Sequence, residues 1–392
     1  MGTEPQIVKK VDERSWKIRP YVSDQQVKDI AYKCFGLDVS NVKEIVSYED
    51  RNFLLEGKLI NEKYKEFDKF VLKIFNGEFT LFKHIFESNN SILLNSAKNW
   101  SFQTPVPIET LNCNETIGVC KVPLQKGFIC EEDSKSELIS EDGWYDFAHL
   151  VRLVIYIPGQ VVNVKEMNED LLFSFGKMVA ELAIGLQPNI CSSCEDIITG
   201  KEAWDTMKAP YVLPEYITLI KDEVVKKLCE DVLRLFENNV SPIIHNLPRQ
   251  WIHTDLNDQN ILQNDKQLVG VLDFDELLYS YRVVDLATAL MYFSIGADDK
   301  NRMSSIAAIF SGYSSLITLN KPELKVLYTL FLVRFCASIC MSNYNYNYID
   351  LGNEYLLIHA EKGKDVLKYF SDMGEKEFMS QLTKNVTKPY KT

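Results

Sequence analysis

The chain has 392 residues, with 43 Lys+Arg against 55 Asp+Glu, for a formal net charge of −12. Hydrophobic residues make up 46% and charged residues 25%, an ordinary globular usage that excludes a disordered or fibrous chain. So acidic a balance argues against nucleic acid or an anionic membrane as partner, because phosphate contacts need clustered Lys and Arg.

At about 100–200 residues per domain, the length predicts two lobes. Ser23 to Gln26 reads as a capping box opening a helix that Gly36 closes. Strands are predicted at 42–48 and 52–57, joined by the turn Glu49-Asp50-Arg51, then at 69–75, where Asn76-Gly77 ends the run. Residues 79–95 place Phe82, Ile85, Phe86 and Ile92 at helical spacing. Two more strands follow at 117–124 and 150–157, the second stopped by Pro158-Gly159. Beyond Gly159 the pattern turns helical, with helices predicted at 167–186, 215–238, 283–296, 300–318, 322–342 and 350–371. The expected architecture is α+β and bilobal: a sheet-rich N-lobe over 1–157 and a mainly helical C-lobe over 158–392.

Nine cysteines are too sparse for a disulfide framework, and the odd number leaves at least one unpaired. Cys191 and Cys194 form the one close pair. No second pair or His completes a zinc site, so both are expected to be plain loop thiols. The N-terminus lacks an apolar signal core and the Ser or Thr at position 6 that myristoylation requires. No apolar run is expected to reach the roughly 18 residues of a membrane span. The expectation is a soluble cytoplasmic protein with no membrane partner.

One segment of the helical half departs from the pattern. Between 251 and 276, short apolar strands alternate with turns rich in Asp and Asn. His253, Asp255, Asn257, Asp258 and Asn260 come first, then Asp273 and Asp275 follow a single strand at 268–272. Carboxylate and amide oxygens suit Mg2+, which takes one or two carboxylates together with substrate phosphates. An EF-hand is excluded, since Gln259 and Asn260 stand where Asp or Asn and then Gly are required. Zinc is excluded because His253 has no partner at ligand spacing.

The order His-x-Asp-x4-Asn, a strand, then Asp-Phe is the arrangement of a phosphoryl-transfer catalytic loop followed by a metal loop. With five His in the chain, chance supplies roughly 0.01 such matches. In the N-lobe, Lys73 on the third strand is placed to bind donor phosphates. Glu87, fourteen residues on in the next helix, is expected to form the ion pair that orients it. No glycine-rich loop or Walker motif occurs, so the turn Ser47 to Asn52 would have to cover the phosphates. Nor does Ala-Pro-Glu follow Asp-Phe, which argues against protein substrates.

Together, His253-Thr254-Asp255 with Asn260, Asp273-Phe274 and Asp285-Leu286-Ala287 resemble the aminoglycoside phosphotransferase and choline kinase superfamily, whose members share the protein-kinase-like fold without that glycine-rich loop. Within it the chain is most similar to the kinases of hydroxylysine. The matching segments are 47–53, 70–74, 150–159, 253–262, 270–281 and 331–341, in the same order over nearly the whole chain. The resemblance implies Asp255 as catalytic base, Asn260 and Asp273 as Mg2+ ligands, and Lys73 with Glu87 as the phosphate-binding pair. Backbone groups of Ile155 to Ile157 would hold the purine, and His253 and Asp285 would support the loop. It further implies transfer of the γ-phosphoryl group of GTP, ATP being possible, to 5-hydroxy-L-lysine, as in lysine degradation. Asp258, Asp275 and Glu276 are candidate contacts for the substrate ammonium.

Two departures from the superfamily pattern bear on geometry. Thr254 stands where Gly is usual, which requires a negative φ there. Asp275-Glu276 replaces the usual Gly-Asp. Kinases of choline, ethanolamine or aminoglycosides, and a catalytically dead ligand-binding form, are the competing readings; the presence of Lys73, Asp255, Asn260 and Asp273 argues against the last.

Overall fold

The computed structural model describes residues 20–386 apart from 46, 48–49, 77–82, 112–114, 126–143, 188–202, 266, 350–353 and 385. Cys191 and Cys194 lie outside the described residues, as does Phe82. The chain divides into two compact units: the part up to Leu94 with Pro105–Ile157, and Asn95–Thr104 with Pro158 onward.

In the first unit, helix α1 (Asp24–Phe35) starts at the Ser23/Gln26 capping box and ends at Gly36, whose φ of 70° is a left-handed cap that only glycine adopts without cost. The strands are β1 (Leu37–Ile45), β2 (Arg51–Leu59), β3 (Lys69–Ile74), β4 (Gly118–Gln125) and β5 (Trp144–Ile155). They form one antiparallel sheet in the order β1-β2-β3-β5-β4. Alternation decides its faces. Along β3, Phe70, Leu72 and Ile74 are fully buried, and with Phe53, Leu55 and Leu153 they make the core under α1. Val71 and Lys73 therefore point to the other face. Helix α2 (Lys83–Ser96) follows.

The second unit contains β6 (Gln160–Val161), α3 (Glu169–Gly185), α4 (Ala209–Ile217), α5 (Glu223–Asn239), β7 (Arg249–Ile252), β8 (Ile261–Asn264), β9 (Gln267–Val271), β10 (Leu278–Tyr281), α6 (Val283–Gly296), α7 (Arg302–Leu316), α8 (Lys321–Tyr344) and α9 (Ala360–Thr383). The helix expected over 215–238 is two helices. Asp222 accepts hydrogen bonds from the N–H groups of Val224 and Val225, starting α5 afresh as an N-cap. The helix expected at 350–371 instead runs from Ala360 to Thr383, broken at Gly374 (φ 75°, ψ 160°).

Two further expectations change. Asn95–Thr104 leaves the N-terminal unit because aromatic and backbone contacts hold it in the second. Trp100 stacks on Phe102 and Phe274 (centroids 5.4 and 5.8 Å apart) and donates Nε1–H to Glu181 O at 2.8 Å. A Cβ on Gly185 would lie 2.3 Å from that Nε1, so the close approach requires glycine. Gln103 then pairs with β9, donating to Val269 O and accepting from Val271 N. Second, the stretch Lys321–Tyr348 is long and apolar enough to cross a membrane, contrary to expectation; 89% of its apolar window is buried within the protein. It is a core helix. α8 is packed by α4, α5, α6 and α9, which is why it is hydrophobic on every side.

Candidate active site

In the first unit, the ion pair that positions Lys73 differs from the one expected. Antiparallel register places Asn52 and Arg152 opposite Lys73. Its Nζ lies 3.0 Å from Asp50 Oδ2 and 5.1 Å from the centre of the Phe75 ring. Asp50 is itself anchored, since its Oδ1 accepts from Asn76 N at 2.7 Å. Glu87 does not join this group. Its carboxylate accepts from Thr116 N (2.9 Å), Thr116 Oγ1 (2.7 Å) and Ile117 N (2.8 Å), closing the start of β4 onto α2. Each of those backbone donors would otherwise be left without a partner, which holds the Glu87 carboxylate with them. Of the expected purine-binding backbone, the N–H groups of Ile155 and Tyr156 are already given to Val106 O (3.0 Å) and Lys69 O (3.1 Å).

In the second unit the Asp/Asn segment closes on itself. Asn257 caps a single 3-10 turn, Asp258–Asn260, its Oδ1 accepting from Gln259 N and Asn260 N. That turn brings the Asn260 amide back to Asp255, where Nδ2 donates to the Asp255 carbonyl (2.9 Å) and Oδ2 (3.1 Å). The Asn260 amide oxygen thus faces away from Asp255. Leu272 N donates to Asn260 O at 2.8 Å, setting the next residue, the exposed Asp273, beside Asn260.

Asp255 is held from both sides. Oδ2 also accepts from Asn257 Nδ2 at 2.7 Å, and Oδ1 accepts from Arg334 on α8 at 3.1 Å. Beneath the loop, Asp285 in the first turn of α6 accepts from His253 N and Thr254 N, both at 2.8 Å. A carboxylate there also meets the positive end of the helix. Burial pushes the Asp285 carboxyl above its ordinary range, against the pull of His253 and the two N–H donors. His253 Nδ1 accepts from Asp255 N (3.3 Å), so Nε2 carries the hydrogen donated to Leu272 O (2.9 Å).

Thr254 overturns the expectation of a negative φ: its φ is 73°. The left-handed conformation is imposed by Asp285 below, and by the Thr254 hydroxyl donating to Glu276 O at 3.1 Å. Asp273 is likewise left-handed, at 59°. Asp258, expected to face a substrate ammonium, is instead committed to His359 Nε2 (2.6 Å) and Gln259 Nε2 (3.0 Å). Burial, the largest single influence, works to raise its pKa, but the hydrogen bond and charge of His359, with the hydrogen bonds of Gln259 and its own backbone N–H, together hold it below the ordinary value.

Asp50, Arg334 and His359 are the site residues the sequence patterns did not single out. Asp50 stands two residues before Asn52, and it reaches Lys73 only through the register in which Asn52 pairs with that lysine. Arg334 and His359 lie 79 and 101 residues from their partners, and no local pattern connects them.

A family model described as a phosphotransferase enzyme family matches residues 119–316. A hydroxylysine kinase of Xenopus laevis is 26% identical over 369 residues, covering 91% of this chain and 92% of that protein. The Bos taurus hydroxylysine kinase is 27% identical over 371 residues, with 91% and 92% covered. Among solved structures, an amicoumacin kinase in complex with AMP-PNP and Ca2+ superposes with a TM-score of 0.60 at 14% identity, covering 90% of this chain and 98% of its own. A choline kinase from Cryptosporidium parvum Iowa II gives 0.53 at 11% identity, covering 92% and 99%. The fold is that of the protein-kinase-like phosphotransferases. The chain belongs to the phosphotransferase enzyme family, as a small-molecule kinase acting on an alcohol group.

Proposed function

We propose that this cytoplasmic kinase transfers the γ-phosphoryl group of GTP to the hydroxyl of 5-hydroxy-L-lysine, giving 5-phosphohydroxylysine and GDP as a step of lysine degradation. The observation that carries the phosphoryl-transfer reading is the Asp255 carboxylate, fixed by Asn257, Asn260 and Arg334 yet about one-quarter exposed. The acceptor rests on similarity to hydroxylysine kinases over nine-tenths of both chains. In this reading Asp255 orients the acceptor hydroxyl. Its hydrogen passes to the carboxylate as the oxygen bonds to the γ-phosphorus, the bond from phosphorus to the bridging oxygen breaks, and GDP leaves. Lys73 contributes positive charge to the donor phosphates. Asp275 and Glu276 give the acceptor loop the negative charge that an ammonium-bearing substrate favours.

The donor set fits Mg2+. Asn260 presents an amide oxygen and Asp273 an exposed carboxylate on adjacent strands of backbone. Among the described residues no group of three or more His, Cys, Asp or Glu forms a self-sufficient cage. Such a pair suits a cation completed by phosphate oxygens and water. When bound, Mg2+ would neutralise charge on the transferring phosphoryl group.

Phosphoryl-transfer assays on hydroxylysine, lysine, homoserine, choline and ethanolamine, each with GTP and ATP, test the reading. Hydroxylysine with GTP is expected to give the highest kcat/KM, and lysine none, for want of the hydroxyl. Turnover of another alcohol with none on hydroxylysine would refute the acceptor; preference for ATP would refute the donor.

A further inference from the structure

Arg334 sits near the middle of α8, a helix otherwise buried among apolar neighbours, and is only 2% exposed. A cation is expensive in such a place unless its donors are matched. One amide-like arm, NH1, donates to Trp204 O at 2.6 Å. The other, NH2, is shared between Asp255 Oδ1 (3.1 Å) and Tyr292 OH (3.2 Å). The guanidinium Cζ lies 5.2 Å from the centre of the Trp204 ring and 5.4 Å from that of Tyr292. Its Nε is buried with no hydrogen-bond partner among the described residues.

The arrangement divides the two oxygens of Asp255. A carboxylate offers about two lone pairs on each oxygen. Oδ2 already accepts from two amides, Asn257 and Asn260, and Oδ1 accepts from Arg334 alone. The acceptor position left on the carboxylate is therefore on Oδ1. A planar guanidinium that donates through NH1 and NH2 to three acceptors is held in one orientation, so it fixes the direction in which that position faces.

We infer that Arg334 is a positioning residue for the reaction: it clamps Asp255 so that Oδ1, and not Oδ2, receives the acceptor hydroxyl. This rests on the reading of Asp255 as the group facing that hydroxyl. Lysine is a poor replacement, because its three donors radiate from one nitrogen and do not span Asp255, Tyr292 and the Trp204 carbonyl as the planar fork does.

The test is a double-mutant cycle of Arg334→Met and Arg334→Lys, each in the native chain and with Asp255→Asn, reading kcat, KM for donor and acceptor, and melting temperature. Arg334→Met is expected to lower kcat about 10²-fold, the size associated with a displacement of about 1 Å, with the donor KM nearly unchanged. Arg334→Lys is expected to fall between Met and the native residue. With Asp255→Asn present, either substitution is expected to cost less than about 2-fold more, since the group it acts through is already disabled. Losses that multiply in both backgrounds would assign Arg334 a structural role and overturn the inference. An Asp255→Asn enzyme with native turnover would overturn the underlying reading of Asp255, a result separable from the first. Should Arg334→Met fail to fold, Arg334→Lys supplies the same comparison.

Discussion

Replacing Asp285 by Ala tests the support beneath the catalytic loop. The substitution strips both N–H groups of His253 and Thr254 of an acceptor 2.8 Å away, in a place where water does not reach: Asp285 is 2% exposed. Hydrogen bonds to a charged acceptor contribute about 1.5–3 kcal/mol each. Removing the buried carboxylate also removes its desolvation cost, which the raised pKa reports. The net loss is then about 2–4 kcal/mol, a fall in Tm of roughly 5–12 °C for a unit of this size. Thr254 would no longer be held at its φ of 73° and would relax toward negative φ, carrying Asp255 with it. A shift of about 1 Å there would cost turnover about 10²-fold. Circular dichroism melts and steady-state turnover at saturating donor and acceptor read the two effects. Adding Thr254→Gly, which tolerates the left-handed backbone, should restore part of the turnover. An Asp285→Ala enzyme melting within 2 °C of native and turning over within about 2-fold would show that Asp285 does not hold the loop in place.

Two other outcomes follow from the site. Glu87→Ala should orphan the N–H groups of Thr116 and Ile117, destabilising by about 2 kcal/mol, while leaving the donor KM nearly unchanged because Lys73 pairs with Asp50. A large rise in donor KM without loss of Tm would restore the Lys73–Glu87 pair. Asp258 has a lowered folded pKa, so its contribution to stability is present above the ordinary carboxylate value of about 3.9 and disappears as pH falls through the folded value. His359→Ala should therefore lower Tm above about pH 4, with the gap to native narrowing as pH falls below that; a gap that stays constant as pH falls would contradict the pairing.

The candidate site was legible because it is local. His253, Asp255 and Asn260 fall in one short loop whose turn, capped by Asn257, folds the chain back on itself, and the hairpin after it returns Asp273 thirteen residues after Asn260. The conformation at Thr254 was not legible. Residue type argued for negative φ, and the left-handed backbone is imposed by Asp285, 31 residues away in another element. Glu87 shows the same limit, since helical spacing placed it near a lysine but could not weigh the N–H groups arriving from Thr116 and Ile117, 29 and 30 residues on.

What the amino-acid sequence determined by itself is most of the strand and helix pattern, the order of the loops that carry Asp255, Asn260 and Asp273, and the residue types that phosphoryl transfer needs. All of these depend on periodicity and spacing within a few tens of residues. Tertiary structure alone decided which charges face each other: Asp50 for Lys73, His359 for Asp258, Arg334 for Asp255. Those pairings are settled by strand register and helix packing. In a buried site the partner that satisfies a charge is the one the fold delivers within hydrogen-bonding distance, whatever its distance along the chain.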